Sequence, residues 1–117
     1  MNKQEKVELL ATRVMGWYKA NDYWYDSETD YSLYPAKPLL YHPIHWQPFE
    51  NIIHAKEVQG KLLGKGWMTR EWAKEGVGWV VCFFTELPEE FVTFVAETEA
   101  EAISEAAFLA IDPGEVT

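Results

Sequence analysis

Two histidines three residues apart, His42 and His45, have the residue type and spacing most suggestive of metal binding in this sequence. Imidazole nitrogens bind zinc, and His54 is a third candidate, but a zinc site usually requires four ligands. The single cysteine, Cys82, lies in the apolar run GWVVCFFTE, which is typical of a core strand. We therefore expect no metal site and interpret the histidines as bystanders or minor ligand contacts.

The remaining polar motifs do not predict catalysis. No serine or cysteine has the sequence surroundings of an activated nucleophile, and GKGW at residues 64–67 lacks the spacing of a phosphate-binding P-loop. Glu89 and Glu90 fall in a predicted turn, LPEE, where solvated carboxylates need no catalytic explanation. We expect a protein that is not an enzyme and needs no cofactor.

Four residues are candidates for binding a nucleotide-like ligand: Arg70, Trp46, His45 and Tyr31. Arg70 lies on a predicted strand among tryptophans, and its guanidinium group could fork onto a phosphate. The alternative interpretation is that Arg70 pairs with a neighbouring glutamate on the sheet surface. The other three belong to an aromatic, proline-rich part of the chain, where they could stack on a base or simply cover the core.

The net charge of -9 comes from the second half of the chain. Acids and bases balance up to Lys65, whereas Arg70 and Lys74 are the only basic residues that follow. Binding to a nucleic acid backbone requires a basic face, so we expect no nucleic acid partner. The carboxylates are interpreted as a solvated surface, with mimicry of a nucleic acid as the minority alternative.

Apolar spacing predicts the helices that position these residues. The first helix is expected to begin at Asn2, end at Gly16 and carry one apolar stripe: Val7, Leu10, Ala11, Val14 and Met15. Residues 17–25 and 32–40 are expected to be extended or looped. A second helix is expected to begin at Pro48, whose fixed φ suits a first helical turn, and to end near residues 64–66.

Three runs rich in Trp, Val, Phe and Thr predict an antiparallel meander: WMTREWAK, GWVVCFFTE and FVTFVAE. The middle run is apolar at both alternating sets of positions, so helical layers are expected on both sheet faces. The capping pattern of Thr98 and Glu101 predicts the last helix. A stripe of small residues would let this helix approach the sheet closely: Ala100, Ile103, Ala107, Ala110 and Ile111.

These elements predict an α+β fold in a single domain of residues 1–117. The core order is α-β-β-β-α, with an extra N-terminal helix and an aromatic segment in front. Double-stranded RNA-binding domains share this order, but their last helix opens with lysines, where this chain has Glu97, Glu99 and Glu101. A lone cysteine and the lack of any apolar run near the roughly 20 residues of a membrane span predict a cytoplasmic protein without membrane partners.

Three stretches resemble, in order and spacing, the phage ABA sandwich domain family of small phage and prophage proteins: VMGWYKANDYWYD, WQPFENIIHAKEVQGKLL and VAETEAEAISEAAFLAI. The matching positions are Met15, Gly16, Trp17, Tyr23, Trp24, Trp46, Pro48, Glu50, Asn51, Ile52, Ala55, Val58, Thr98, Glu101, Ala102 and Ile103. Gln47 departs from the asparagine of the family pattern, which predicts weaker side-chain capping of the second helix. Lys56 stands where an aromatic residue is common.

The resemblance implies an antiparallel sheet sandwiched by helices, and it also implies a function. Some relatives are anti-defence proteins of the Thoeris type, which capture cyclic nucleotide signals of bacterial immunity without cleaving them. By this resemblance the chain is expected to be a homo-oligomeric phage accessory protein that sequesters such a signal in the host cytoplasm. The alternative is an acidic interaction module that blocks a host protein.

Overall fold

The computed structural model describes residues 2–20, 23–26, 45–86 and 89–111, and it has the predicted α+β class. The chain divides into two compact units, residues 1–46 and residues 47–117, which are described in turn. The single domain over residues 1–117 stays a prediction. The residues from 27 to 44, which include Tyr31 and the possible strand at residues 32–40, lie outside the described part.

The first unit begins with α1 (Lys3–Leu9), which continues directly as a π-helix (Leu10–Val14). The Asn2 side-chain oxygen accepts a hydrogen bond from the Glu5 N–H at 2.8 Å, which confirms the predicted start. The predicted stripe is buried: Val7, Leu10, Ala11, Val14 and Met15. The π-helix was not expected from the 3.6-residue spacing, and its hydrogen bond from the Met15 N–H to the Leu10 carbonyl spans five residues.

Two short strands follow, β1 (Trp17–Ala20) and β2 (Tyr23–Asp26), and they pair as an antiparallel hairpin. The rings of Tyr18 and Tyr25, which are direct partners across the strands, stack with their centroids 5.7 Å apart. Such an aromatic pair stabilises a two-stranded sheet that has few hydrogen bonds of its own. The extended structure expected for residues 17–25 is thereby confirmed for the residues that the structure describes there.

The second unit has the predicted α-β-β-β-α order. Its elements are α2 (Ile52–Gly64), β3 (Met68–Lys74), β4 (Gly78–Glu86), β5 (Glu89–Ala96) and α3 (Glu99–Ile111). The strands form an antiparallel sheet in the order β3-β4-β5. The Thr98 hydroxyl accepts a hydrogen bond from the Glu101 N–H at 3.2 Å, which confirms the predicted cap of α3.

Helix α2 begins at Ile52, so the expectation that it starts at Pro48 is wrong. The residues around Pro48 form a turn in which the Gln47 carbonyl accepts a hydrogen bond from the Asn51 N–H at 2.8 Å. Asn51 then caps the helix, because its side-chain oxygen accepts from the backbone N–H groups two and three residues further on, at 2.9 Å and 3.3 Å. Helix α2 therefore has a side-chain cap from Asn51, although Gln47 replaces the asparagine of the family pattern.

A buried hydrogen bond connects α3 to the turn before α2. The Ser104 hydroxyl donates to the Pro48 carbonyl oxygen at 2.6 Å, and both residues are fully buried. A proline carbonyl in a turn has no helical N–H to bind it, so the hydroxyl supplies the partner that a buried carbonyl requires. Ser104 thus fixes the approach of the two helices.

We expect Ser104→Ala to lower the free energy of unfolding by about 1–3 kcal/mol, because the Pro48 carbonyl would stay buried without a donor. Urea denaturation followed by circular dichroism measures this change. Thr12→Ala is the matched control: the Thr12 hydroxyl bonds back to the exposed Glu8 carbonyl at 2.9 Å, so its loss should change stability by about 0.5 kcal/mol or less. Equal losses in the two variants would contradict this role of Ser104.

Helices α2 and α3 pack on one face of the sheet. Gln59 of α2 donates to the Thr69 hydroxyl at 3.3 Å, and α3 packs against β4 and β5. On this face Val81 and Phe83 are completely buried. The buried side of the last helix is wider than the predicted stripe, since it also includes Ala102, Ser104 and Ala106.

The opposite face, called the open face below, consists of Arg70, Trp72, Val80, Cys82, Phe84, Phe91, Thr93 and Val95. Val80 and Cys82 in its middle are buried, as predicted for both alternating sets. At its margins Trp72, Phe91 and Val95 are 46%, 66% and 45% exposed. Within the second unit the expected helical layer is therefore present on one face, and the centre of the other face is buried although neither α2 nor α3 lies on it.

Candidate functional site

A depression of about 600 Å³ lies on the open face at the end where β4 stops and β5 begins. It combines one basic, several aromatic and three acidic side chains. Its lining consists of Arg70, Trp72, Cys82, Phe84, Thr85, Glu86, Glu89, Glu90 and Phe91. A volume of this size falls in the range of small-ligand sites, which are about 300–1,000 Å³.

Strand register explains why these residues meet. Arg70 pairs with Cys82, which pairs with Thr93, and one step along the strands Met68, Phe84 and Phe91 form the next row. Side chains two residues apart on a strand point to the same face, so Arg70 and Trp72 project with Phe84 and Phe91. Trp79, the other tryptophan on the sheet, alternates to the helix-covered face.

Arg70 is exposed, and it makes no hydrogen bond or ion pair with any residue that the structure describes. The pairing with a surface glutamate that the sequence also suggested is not observed in that part of the chain. Glu86, Glu89 and Glu90 are likewise exposed and have no described ionic partner. The depression thus holds an available guanidinium group and three available carboxylates.

The carboxylates are more ordered than the sequence predicted. Glu89 and Glu90 were expected in a turn, but β5 begins at Glu89, where Glu89 pairs with Glu86 and Glu90 pairs with Thr85. Glutamate has low β propensity, and two glutamates directly opposite each other repel, so sequence patterns do not favour a strand here. Extension of the ladder holds these side chains at the rim of the depression.

The other predicted ligand residues lie in the first unit. Trp46 is fully buried, and its ring meets the edge of Trp17 with the centroids 4.9 Å apart, which fits the core-cover interpretation. His45 is exposed. Tyr31 lies outside the described residues. Sequence reasoning did not select Trp72, Phe91 or the three glutamates as ligand contacts, although pairing the three strand runs across their short turns would have placed them beside Arg70.

His54 has a structural role at the start of α2. It is only 9% exposed, and its Nδ1 atom accepts a hydrogen bond from the Gln47 N–H at 3.0 Å. Burial lowers the pKa of His54 below its ordinary value, although the negative charge of Glu57 partly opposes this. A neutral imidazole is required for Nδ1 to accept this hydrogen bond.

We expect the stability of the protein to fall as the pH falls below about 6.5, the ordinary histidine pKa. The pKa of His54 is lower in the folded state than in the unfolded state, so the unfolded chain binds the proton first. The stabilisation that neutral His54 provides is fully present above the pKa of the unfolded state. It is lost as the pH falls toward the pKa of the folded state. His54→Gln should flatten the pH dependence of the free energy of unfolding between pH 7 and 5, as measured by urea denaturation. Identical slopes for His54→Gln and the natural sequence would contradict this assignment.

Lys56 joins three elements of the helix-covered side. Its Nζ atom lies 2.6 Å from Glu71 Oε1 on β3 and 3.1 Å from Glu99 Oε2 at the start of α3. Burial disfavours the charged amine, but hydrogen bonds to the two carboxylates and their charges outweigh this, so the pKa of Lys56 is raised. An ammonium group therefore occupies the position where the family pattern has an aromatic residue.

In the described part of the chain, no three histidine, cysteine, aspartate or glutamate side chains are grouped to hold a metal ion. His42 lies outside that part, so the pair His42 and His45 is not described. None of the described helices combines the length and hydropathy needed to cross a membrane.

Comparisons with known proteins agree on the fold. The family model of the phage ABA sandwich domain matches residues 8–108. The 2.0 Å crystal structure of a phage protein from Bacillus cereus ATCC 14579 is similar, with a TM-score of 0.67 and 19% identity, over 96% of this chain and 89% of that one. At this identity the likeness concerns the fold alone. No curated protein matches the sequence.

Proposed function

Because the chain belongs to the phage ABA sandwich domain family, we propose that it is a non-catalytic phage accessory protein that sequesters a cyclic nucleotide signal of bacterial immunity in the host cytoplasm. The observation that supports the proposal is the depression on the open face. There the guanidinium group of Arg70, which has no described ionic partner, lies in the same lining as the exposed rings of Trp72 and Phe91.

Each part of a nucleotide has a complementary group in this lining. A purine can stack on the Trp72 or Phe91 ring, a contact that contributes about 1–3 kcal/mol per base. Arg70 offers a planar pair of donors to a phosphate. The glutamates at the rim accept hydrogen bonds from ribose hydroxyls and exocyclic amines.

Capture without cleavage fits the same set of residues. The described lining includes Cys82 and Thr85 but no histidine or lysine that could activate them as nucleophiles. Cys82 Sγ lies 3.3 Å from Thr93 Oγ1, which is a weak hydrogen bond and not a catalytic pair. Sequestration needs only affinity, which these contacts provide.

The charge of the rim sets the selectivity. One arginine and three glutamates give the lining a formal charge of -2, so repulsion disfavours ligands with many phosphates. This balance favours a ligand with few negative charges and a large aromatic surface. It also means that the carboxylates limit the affinity for any anion.

Thermal shift measurements with a panel of cyclic dinucleotides and cyclic ADP-ribose isomers test the proposal. A ligand that binds only the folded protein raises the melting temperature by mass action, and it should be recovered intact when the protein is denatured. Arg70→Gln should weaken binding by about tenfold, as expected for one lost charge-assisted contact. Glu90→Gln should strengthen it. The absence of a shift across the panel would reject nucleotide capture, and a cleaved ligand would reject its non-catalytic character.

A second candidate function is an acidic module that binds and blocks a basic host protein. The specific observation in its favour is that Glu86, Glu89 and Glu90 line the same depression as the 66% exposed ring of Phe91. Capture of a purified basic partner should weaken as salt rises, and replacing the three glutamates by glutamine should abolish it. Binding that does not respond to ionic strength would count against this function.

A further inference from the structure

A second depression, also of about 600 Å³, lies beside the first at the same end of the sheet, where β3 begins and β4 stops. Lys65 and Trp67, which precede β3, belong to its lining. Thr85, Glu86 and Glu90 line both depressions and are called the shared rim below. The two depressions are therefore adjacent and have one wall in common.

The end of α2 fixes the positions of Lys65 and Trp67. Gly66 between them has a φ of 101°, and its N–H donates to the Leu63 carbonyl at 3.2 Å. The Trp67 N–H donates to the Leu62 carbonyl at 3.1 Å. These two hydrogen bonds form a Schellman motif, which ends a helix in one defined conformation. The second depression thus has an ordered edge.

Each depression combines a cation with an indole ring. The first has Arg70 and Trp72, and the second has Lys65 and Trp67. Lys65 is exposed, and its amine has no hydrogen bond or ion pair with any residue that the structure describes, as is also the case for Arg70. An ammonium group binds a phosphate as a point charge, and an indole offers a face on which a base stacks.

We propose that the two depressions form one site for a cyclic dinucleotide, with one nucleotide unit in each; this inference rests on the proposed function and specifies its ligand. Arg70 binds one phosphate and Lys65 binds the other. The bases stack on Trp72 and Trp67. The carboxylates of the shared rim lie between the two units and accept hydrogen bonds from sugar hydroxyls.

The separation of the two cations suits one ligand that lies across the shared rim. Arg70 follows Lys65 by five residues, which span at most about 18 Å even when fully extended. Both side chains are long, so the charged groups can approach a ligand on the rim from opposite sides. A ligand with a single base would leave the indole of one depression without a contact.

The charge of the joined lining also favours two phosphates over one depression acting alone. Lys65 and Arg70 together with Glu86, Glu89 and Glu90 give a formal charge of -1, against -2 for the first depression. Each phosphodiester of a cyclic dinucleotide carries one negative charge and has one cation available to it. Lys65 therefore offsets part of the repulsion that the carboxylates exert on an anion.

Isothermal titration calorimetry tests the proposal with cyclic di-AMP, cyclic di-GMP and cyclic GMP-AMP, and with cyclic AMP and cyclic GMP as their one-base counterparts. The natural sequence should bind at least one of the dinucleotides, at least about tenfold more tightly than either mononucleotide. Lys65→Gln should weaken this binding about tenfold, as expected for one lost charge-assisted contact. Lys65→Arg, which keeps the positive charge, should retain it.

Lys74→Gln is the matched control, because Lys74 is exposed at the other end of β3 and lies outside both linings. It removes the same charge and should leave the dissociation constant unchanged. Equal weakening in Lys74→Gln and Lys65→Gln would overturn the proposal, since the effect would then reflect net charge alone. Undiminished binding by Lys65→Gln would overturn it as well.

The failure of this inference is distinguishable from the failure of nucleotide capture. If a cyclic ADP-ribose isomer binds and none of the three dinucleotides does, the joined site is rejected and capture stands. The same holds if a cyclic mononucleotide binds as tightly as the dinucleotides. If no nucleotide binds at all, both proposals are rejected.

Discussion

Gly78→Ala is expected to lower the free energy of unfolding by about 3–5 kcal/mol, a loss at the upper end of the range for single substitutions. Gly78 begins β4 with a φ of 120°, a backbone conformation that residues with a side chain rarely adopt. An added Cβ atom would overlap the Ala96 carbonyl oxygen and lie 2.9 Å from the Glu97 Cα atom. Both are backbone atoms that cannot rotate away, so the end of β5 would have to move.

Two other glycines provide matched controls for this substitution. Gly76 also has a positive φ, 78°, but nothing lies within 4 Å of an added Cβ atom, so Gly76→Ala should cost only about 1–2 kcal/mol. Gly60 lies in the interior of α2 with open space around it, so Gly60→Ala should stabilise the protein by about 0.4–1 kcal/mol. Urea denaturation at one fixed protein concentration measures all three. A Gly78→Ala loss no larger than that of Gly76→Ala would contradict the predicted clash.

Phe83→Ala is expected to cost about 3–5 kcal/mol, because it removes a large side chain from the covered face of the sheet and leaves a cavity. Phe83 is fully buried, on the face of the sheet that α2 and α3 cover, and α3 packs directly against β4. The stripe of alanines on α3 lets the helix approach closely, and small side chains cannot move in to fill the space. The native state should therefore lose both the transfer free energy and the surrounding contacts.

Ile53→Ala is the control for this second prediction. Ile53 lies in the first turn of α2 and is 69% exposed, so its truncation should change stability by about 0.5 kcal/mol or less. Thermal unfolding monitored by circular dichroism at a fixed protein concentration compares the two variants. A small effect of Phe83→Ala would mean that the helices do not press on β4, and the distinction between the covered and the open face would be lost.

The distinction between the two faces of the sheet also separates the core from the candidate site. The same strand, β4, buries Phe83 under helices and presents Phe84 to the depression. We expect stability to depend on Phe83, whereas the proposed function uses the face that carries Phe84. Variants of the open face should therefore alter the proposed binding with little effect on the fold, which makes the experiments on Arg70 and the three glutamates interpretable.

Local signals in the sequence were sufficient to predict several helix and strand boundaries. The caps at Asn2 and Thr98 bind the N–H groups that the capping patterns predict, at 2.8 Å and 3.2 Å. The extent of β4 is as predicted, Gly78–Glu86. Helix caps and strand ends depend on residues that are close together in the chain, so sequence patterns can predict them. Arg70 was likewise chosen because few other bases follow it.

Competing local signals caused the errors at the boundaries. At the start of α2, Pro48 and Asn51 both favour a helix N-terminus, and the choice of Asn51 coincides with the burial of the Pro48 carbonyl against Ser104, a residue 56 positions away. At β5, the pairing of Glu86 with Glu89 overrides the low strand preference of glutamate. At α2 a contact distant in sequence outweighs the helix preference of the local residues. At β5 the backbone pairing with β4 outweighs the low strand preference of glutamate.

The sequence by itself determined the α+β class and the α-β-β-β-α order, because hydrophobic period, caps and turns depend on consecutive residues. The family was indicated by the resemblance of three stretches to the phage ABA sandwich domain. Only the tertiary structure decided that helices cover one face of β4 and that Arg70, Trp72, Phe91 and the three glutamates share one depression. Apolar residues at both alternating sets of positions show that a strand is apolar on both faces. They do not show which element packs on each face. That outcome depends on strand register and on the path of the helices, which bring together residues far apart in the chain.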